Sequence, residues 1–348
     1  MRIVVNNIAA SSRGAISSLK EFYTYVKNYD TENEWIFLLG DTYVEETDRI
    51  KVITLPRVKK SKLYKLVFDF ITGRKFVDSL NPDVIISMQN IITFGVKAPQ
   101  VAYIQQLLPF QDIYNFSFFK KAERSLAVQQ KLIGKVIALS AKKADKVIVQ
   151  TNHMKEKLIE KTKISPDKVL CCTPNIEAID EYIEEGVFDK TQFFSPTSDD
   201  FYKNNVCIYE AVKQLRSEGI DAFNVQITID KNVTMDNIFF SGKIPREEVF
   251  KKYNRTTMIF PTFIEALGYP FTEARQIGTI CLVSDIGVAR ELLAGYENAY
   301  FFDPFKPSEL AELMKKVLRG EIVKKPVKKE KKDDVNSWDE VIRILREM

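Results

Sequence analysis

The sequence predicts an α/β protein of two domains. Two observations carry that expectation. Short apolar runs rich in Val, Ile and Phe alternate with amphipathic stretches, the rhythm of a parallel sheet covered by helices. The chain has 348 residues, 45% of them apolar, which suggests two domains of ordinary size with proper cores.

In the first half, strands are expected at residues 3–7, 35–40, 50–55, 83–87, 100–104 and 146–150. Helical periodicity covers 15–29, 63–80 (with aromatics on the apolar face) and 122–143. The second half reads as strands at 192–196, 222–229, 237–241 and 257–260. Its helices fall at 205–217, 245–253, 270–276 and 303–318. Gly278 should end the third of these. The lysine-rich run 324–332, broken by Pro326, Val327 and Glu330, reads as a solvated linker, and residues 337–342 begin a last amphipathic helix. No internal repeat is visible.

Composition narrows the function classes. No apolar run reaches the roughly 18 residues of a membrane span, and the N-terminus reads as a first strand, not a signal peptide. Cys171, Cys172, Cys207 and Cys281 form no CxxC pair and lie in or beside apolar runs, as small core residues in a reducing cytosol. With His153 as the one histidine, neither a histidine-built metal site nor a Ser-His-Asp triad is expected. Charge is uneven. Residues 1–178 carry 27 Lys and Arg against 18 Asp and Glu, a balance of +9, and residues 179–348 carry 24 against 29, a balance of −5. A basic first half suits anionic lipid headgroups or a phosphorylated acceptor, simple solvation being the alternative. The lysine run lacks the interleaved aromatics of a nucleic-acid surface, so no nucleic-acid partner is expected.

The most informative stretch is F-P-T-F-I-E-A-L-G-Y-P-F-T-E-A at residues 260–274. Glu265 and Glu273 have seven residues between them. Gly268 allows close backbone approach, and Pro270 suits a first helical turn. Glu265 is expected in a loop at the carboxyl end of the strand 257–260, and Glu273 in the first turn of the next helix. That position in an open α/β sheet is where ligands bind, and the free N–H groups of the new helix suit a diphosphate. Two acids at this spacing also occur as ordinary solvated helix charges; the flanking strand, Gly and Pro favour the functional reading.

This pattern resembles the E-x7-E signature of retaining glycosyltransferases of the family-4 type, which have the two-domain GT-B fold. Residues 278–291 and 300–304 fit the same family. The resemblance covers nearly the whole chain, is strongest over 237–304 and is loosest over 1–140. It implies two Rossmann-like domains facing a central cleft. Residues 1–178 would bind acceptor, joined by a C-terminal helix at 334–348 that crosses back with Trp338 as packing anchor, and residues 179–330 would bind the nucleotide sugar. Residues 171–177 would enter the interdomain linker. No cofactor or metal is implied, because this fold lacks the DxD-type metal site of the other main transferase fold; the nucleotide-diphosphate sugar is a substrate.

The resemblance also implies roles. Glu265 would hydrogen-bond the donor sugar near the reacting carbon and stabilise oxocarbenium-like charge. Glu273 would hold the ribose hydroxyls. Lys203, in a lysine–asparagine pair before a helix, would contact the diphosphate, where a solvated helix-start lysine is the alternative. Thr197 or Ser198 stands where many relatives have a second cation, an arginine. Leu267, Gly268 and Tyr269 would flank the donor and supply backbone donors. Gly242 begins a loop near which the base would stack, or a plain turn. In the first half, Gly14 would permit a tight turn facing the cleft, and Arg13 would contact a phosphate or point to solvent. Gln105 stands near where relatives often have a histidine. It can hydrogen-bond but cannot act as acid or base, a role the leaving phosphate can take.

The overall style resembles bacterial capsule and exopolysaccharide enzymes. The expected function is transfer of a hexose from a nucleotide-diphosphate sugar to a saccharide acceptor, lipid-linked, in surface polysaccharide synthesis. The expected location is the cytoplasm, peripheral at the inner face of the cell membrane. Residues 57–68 and 116–121 mix cations with apolar side chains and are the candidate contacts with an anionic membrane surface, the alternative being core aromatics with solvated lysines. Two alternatives stay open. One is a catalytically silent GT-B partner subunit of an active transferase, which the changes at Arg13, Gln105 and Thr197 favour. The other is a GT-B sugar phosphorylase.

Overall fold

The computed structural model describes residues 1–10, 13–174, 179–184, 186–326 and 337–348. It divides into two compact units. The first is Met1–Phe110 with Ser125–Asn175 and Asp333–Met348, and the second is Gln111–Arg124 with Ile176–Lys332.

The first unit holds a seven-stranded parallel sheet: β1 (Arg2–Asn7), β2 (Glu34–Leu39), β3 (Ile50–Thr54), β4 (Val84–Ser87), β5 (Gln100–Ile104), β6 (Lys146–Val149) and β7 (Val169–Cys171). Their order is β3-β2-β1-β4-β5-β6-β7. Val4 sits in register with Ile36 on one side and Ile85 on the other. Alternate residues of β1 face opposite layers. Ile3 and Val5 meet Leu19, Phe22 and Val26 of the helix Arg13–Tyr29, together with Trp338 and Val341 of the final helix Ser337–Arg346. Val4 turns the other way, to Phe68 and Val77. Both faces are covered, so the strands are continuous apolar runs.

The second unit repeats the architecture with six parallel strands: β8 (Gln192–Ser195), β9 (Asn224–Ile227), β10 (Ile238–Phe240), β11 (Thr257–Phe260), β12 (Cys281–Ser284) and β13 (Ala299–Phe302). Their order is β10-β9-β8-β11-β12-β13. Helices Asn205–Ser217 and Pro307–Arg319 cover one face, and Arg246–Arg255, Tyr269–Ile277 and Gly287–Leu292 serve the other. Residues 111–124 pack here: Tyr114 lies 5.1 Å from Phe263 and 6.3 Å from Phe305, ring centre to ring centre.

Several expectations change in detail. The helix expected at 63–80 runs as Lys62–Val67, a π turn Phe68–Thr72, then Gly73–Asp78. The Gly73 N–H donates to the carbonyl of Phe68, and a Cβ on Gly73 would lie 2.5 Å from that oxygen. The helix expected at 122–143 carries a second π turn, Gln129–Ile133, before Gly134, where a Cβ would lie 2.6 Å from Pro109. Missing side chains let both helices take a wide turn. The helix Asn152–Thr162 and strand β7 were not anticipated. The signal for the helix was Thr151, whose hydroxyl caps it by accepting from the Met154 N–H at 3.2 Å. The late helix starts at Pro307, not 303, because the proline keeps Lys306 out of helical geometry (φ −122°, ψ 84°); Glu309 then accepts from the Asp303 N–H at 2.9 Å. Cys172, Cys207 and Cys281 are buried, and burial pushes the thiols of the first two up to about 12. The expected linker entry at 175–177 and the lysine run from 327 onward lie outside the described residues. Among the described residues, no helix is long and apolar enough to cross a membrane.

Candidate functional site

In the second unit, β8 and β11 are neighbours whose crossovers run to opposite sides of the sheet. Such a switch point leaves a crevice at the carboxyl ends of the strands. The loops leaving β8 and β11 meet there. Thr262 Oγ1 donates to the carbonyl of Tyr202 at 3.1 Å, and the Phe263 N–H donates to the same oxygen at 2.8 Å. Lys203 ends the short 3-10 turn Phe201–Lys203, and the left-handed Asn204 (φ 54°) turns the chain into the helix Asn205–Ser217. The Asn204 amide is anchored on the Pro304 carbonyl at 2.8 Å.

This framework brings Lys203 and Glu265 together in a direct ion pair, with side chains only 15% and 13% exposed. The ammonium also lies 4.9 Å from the ring centre of Phe260. The Tyr202 phenol beside them is pushed up by burial and by the charges of Asp200 and Glu265. Gly268 is left-handed (φ 67°), and a Cβ there would lie 2.6 Å from the Phe271 ring. Glycine is needed for both reasons. Gly268 caps the helix Tyr269–Ile277, with Pro270 in its first turn. Leu267 is buried, and Tyr269 is half-buried.

The helix begins earlier than expected, and this moves Glu273. The acid is the fifth helical residue and no longer in the first turn. It is buried, and one oxygen accepts from Arg246 Nη2 at 3.2 Å. Burial raises its carboxyl above the ordinary 4.5, against the pull of Arg246. Arg246, at the start of the helix Arg246–Arg255, was not singled out in the sequence; the pair spans 27 positions and is tertiary. Gly242 is left-handed (φ 64°) with open space where a Cβ would point. Thr197 is held by Thr228: its N–H donates to Thr228 Oγ1 at 2.8 Å, and its carbonyl accepts from that hydroxyl at 2.9 Å. Two buried polar atoms near the β8 loop, Ser195 Oγ and Asn205 Oδ1, have no partner.

In the first unit, residues 11 and 12 of the loop before Gly14 lie outside the described residues, and Gly14 itself is helical. Gly14 lies in the first turn of the helix Arg13–Tyr29, without positive φ, and its missing Cβ faces open space. The helix starts two residues earlier than expected. Arg13 is its first residue, and the Arg13 side chain lies outside the described residues. Gln105 follows β5; its N–H donates to Asn90 Oδ1 at 2.7 Å and its amide donates to Ser18 Oγ at 3.2 Å. Asn7, at the carboxyl end of β1, is 1% exposed with neither side-chain amide atom partnered. Sequence reading passed over it as a strand residue.

Residues 202–334 match the family described as glycosyl transferases group 1. No curated protein sequence matches the chain significantly. Solved structures do. The lipopolysaccharide outer core galactosyltransferase WaaB in its apo form is similar at TM-score 0.65 and 14% identity, covering 93% of this chain and 92% of that one. A sucrose-phosphate synthase from Thermosynechococcus elongatus is similar at TM-score 0.66 and 11% identity, covering 92% and 90%. HepE of Anabaena, in complex with UDP-glucose, is similar at TM-score 0.61 and 14% identity, covering 92% and 90%. The chain has the GT-B fold, and its second unit carries a domain matching the glycosyl transferases group 1 family.

Proposed function

We propose that this protein is a retaining glycosyltransferase that moves a hexose from a nucleotide-diphosphate sugar to a saccharide acceptor, lipid-linked, in the synthesis of a bacterial surface polysaccharide in the cytoplasm. The observation that carries the reading is the Lys203–Glu265 pair beside the start of the helix Tyr269–Ile277. A cation and a carboxylate at the carboxyl ends of two neighbouring strands match the two charges of the reaction. The bond from the anomeric carbon to the phosphate oxygen breaks, and its electrons stay on the diphosphate. Lys203 and helix N–H groups take up that charge. Glu265 orients the sugar hydroxyls and stabilises positive charge on the sugar. The acceptor hydroxyl bonds to the same carbon on the same face, and its proton passes to the departing phosphate, so Gln105 has no acid–base duty. Glu273, paired with Arg246, holds the ribose hydroxyls. The reading calls on no metal or cofactor.

The test is a screen for nucleotide release from UDP-, GDP-, dTDP- and ADP-sugars, with and without membrane lipid extract, for wild type and Glu265→Ala. Release from one donor, lost in the variant, is the expected result. Thr197 standing where an arginine occurs in relatives, with its backbone already bonded to Thr228, favours the second reading, a silent partner subunit. No release from any donor and no thermal stabilisation by any nucleotide would select it.

A further inference from the structure

The helical segment from Lys62–Val67 through the π turn Phe68–Thr72 to Gly73–Asp78 buries one face and leaves the other bare. Phe68 and Val77 turn inward to Val4, Leu38 and Ile85. Leu63, Tyr64 and Ile71 are 68%, 63% and 69% exposed. Phe70 is exposed as well and is stacked on Phe94 with ring centres 4.4 Å apart. Positions 63 and 64 lie two helical turns before 70 and 71, so the four side chains share an outward face. Exposed cations stand at both ends, Arg57 and Lys60 before it and Arg74 and Lys75 after it. Residues 56–75 contain seven Lys and Arg and one acid, Asp69. That acid is fully buried and paired with Lys65; the segment's other carboxylate, Asp78, is one-fifth exposed and lies 3.9 Å from Arg74, so the exposed charge of the face is positive on balance.

Single exposed apolar residues need no explanation, but a contiguous set ringed by one sign of charge does. A second copy is a poor occupant, because a two-fold contact would set these cations against themselves. A surface with phosphates outside and hydrocarbon beneath complements both parts of the pattern. We propose that this face docks on an anionic lipid bilayer. Leu63, Tyr64, Phe70 and Ile71 enter the headgroup–acyl boundary, while Arg57, Lys60 and Arg74 meet lipid phosphates. The other basic-aromatic stretch is divided: Phe116 is in the core against Tyr114 and Phe201, and Phe119 is exposed. The proposal does not rest on the transferase reading.

The experiment is flotation of the full chain with vesicles of phosphatidylglycerol and phosphatidylcholine, and with phosphatidylcholine alone, paired with sedimentation velocity. Binding is expected on the anionic vesicles only and should fade at roughly 1 M salt, where screening shortens the reach of charge to about 3 Å. Ile71→Glu should abolish it. Lys60→Glu with Arg74→Glu should weaken it by about fivefold or more per cation. Phe119→Glu should leave it intact. All four positions are exposed, and unchanged thermal unfolding would show that the variants fold. No flotation, undiminished flotation of Ile71→Glu, or loss only in Phe119→Glu would overturn the proposal. So would a self-association that Ile71→Glu abolishes, which would give the face to a second copy.

Discussion

Lys203 and Glu265 lie 62 positions apart, and only the fold makes them partners. Each was legible alone: the glutamate from its strand, glycine and proline, the lysine from its place before a helix. Their pairing was not legible, because it depends on β8 and β11 being neighbours. Lys203→Ala leaves a mostly buried carboxylate without its cation. It should lower stability by about 1–3 kcal/mol, while Lys203→Ala with Glu265→Ala should cost less than the two changes summed. A double-mutant cycle in urea measures this, and strict additivity would show that the pair does not hold in solution. Glu273 makes a different case. Its carboxyl is raised by burial, so the folded state favours the protonated form. The stability this group contributes is present below its unfolded value and is lost as pH rises through the raised folded value. At neutral pH the charge therefore costs stability. Glu273→Gln should raise the melting temperature near pH 7 by up to about 2–4 °C while weakening nucleotide binding. Donor affinity of the wild type should fall as pH drops through a midpoint above 4.5. Arg246 holds that carboxyl down, so Arg246→Ala should move the midpoint upward. Titration calorimetry at several pH values checks both signs.

At the scale of elements, the sequence reading succeeded where one period ran without interruption. The strand Thr257–Phe260 and the helix Asn205–Ser217 fall where apolar spacing puts them. It failed where a glycine allowed a change of winding, since a π turn keeps the apolar face and hides in the same periodicity. It also put Glu273 one residue too near the helix start, because Pro270 was read as the first residue when Tyr269 is the first and Gly268 the cap. Glycines give the clearest test at this level. Gly268 and Gly242 are both left-handed, but only at Gly268 would a Cβ meet an obstacle, the Phe271 ring. Gly242→Ala should cost about 1–2 kcal/mol, the backbone penalty alone. Gly268→Ala adds a clash in a packed core and should cost about 2–5 kcal/mol in all. It should also displace the start of the helix Tyr269–Ile277 and with it donor binding. Thermal unfolding of the two variants side by side decides this, and equal costs would show that the Phe271 contact relaxes freely.

At the scale of the whole molecule, two α/β units were legible from length and alternation. The assignment of residues 111–124 to the second unit was not, because it rests on the contacts of Tyr114 with Phe263 and Phe305. The final helix shows how chain ends far apart in sequence complete one core. Trp338 is 4% exposed, its ring centre 4.9 Å from that of Phe22 and 5.8 Å from that of Tyr103. Tyr25 donates to Asp339, and Arg346 reaches Asp30 at 3.4 Å. Truncating this tryptophan opens a cavity at the heart of the first unit, and Trp338→Ala should cost about 3–5 kcal/mol. The chain has two tryptophans, Trp35 and Trp338, and both belong to the first unit. Trp35 therefore remains as a fluorescent reporter of that unit alone. Its urea midpoint should fall sharply in the variant. Any transition that circular dichroism resolves for the second unit should stay in place, because a chain of two units need not unfold in one step. A common shift in both signals would show instead that the two units unfold as a single cooperative body.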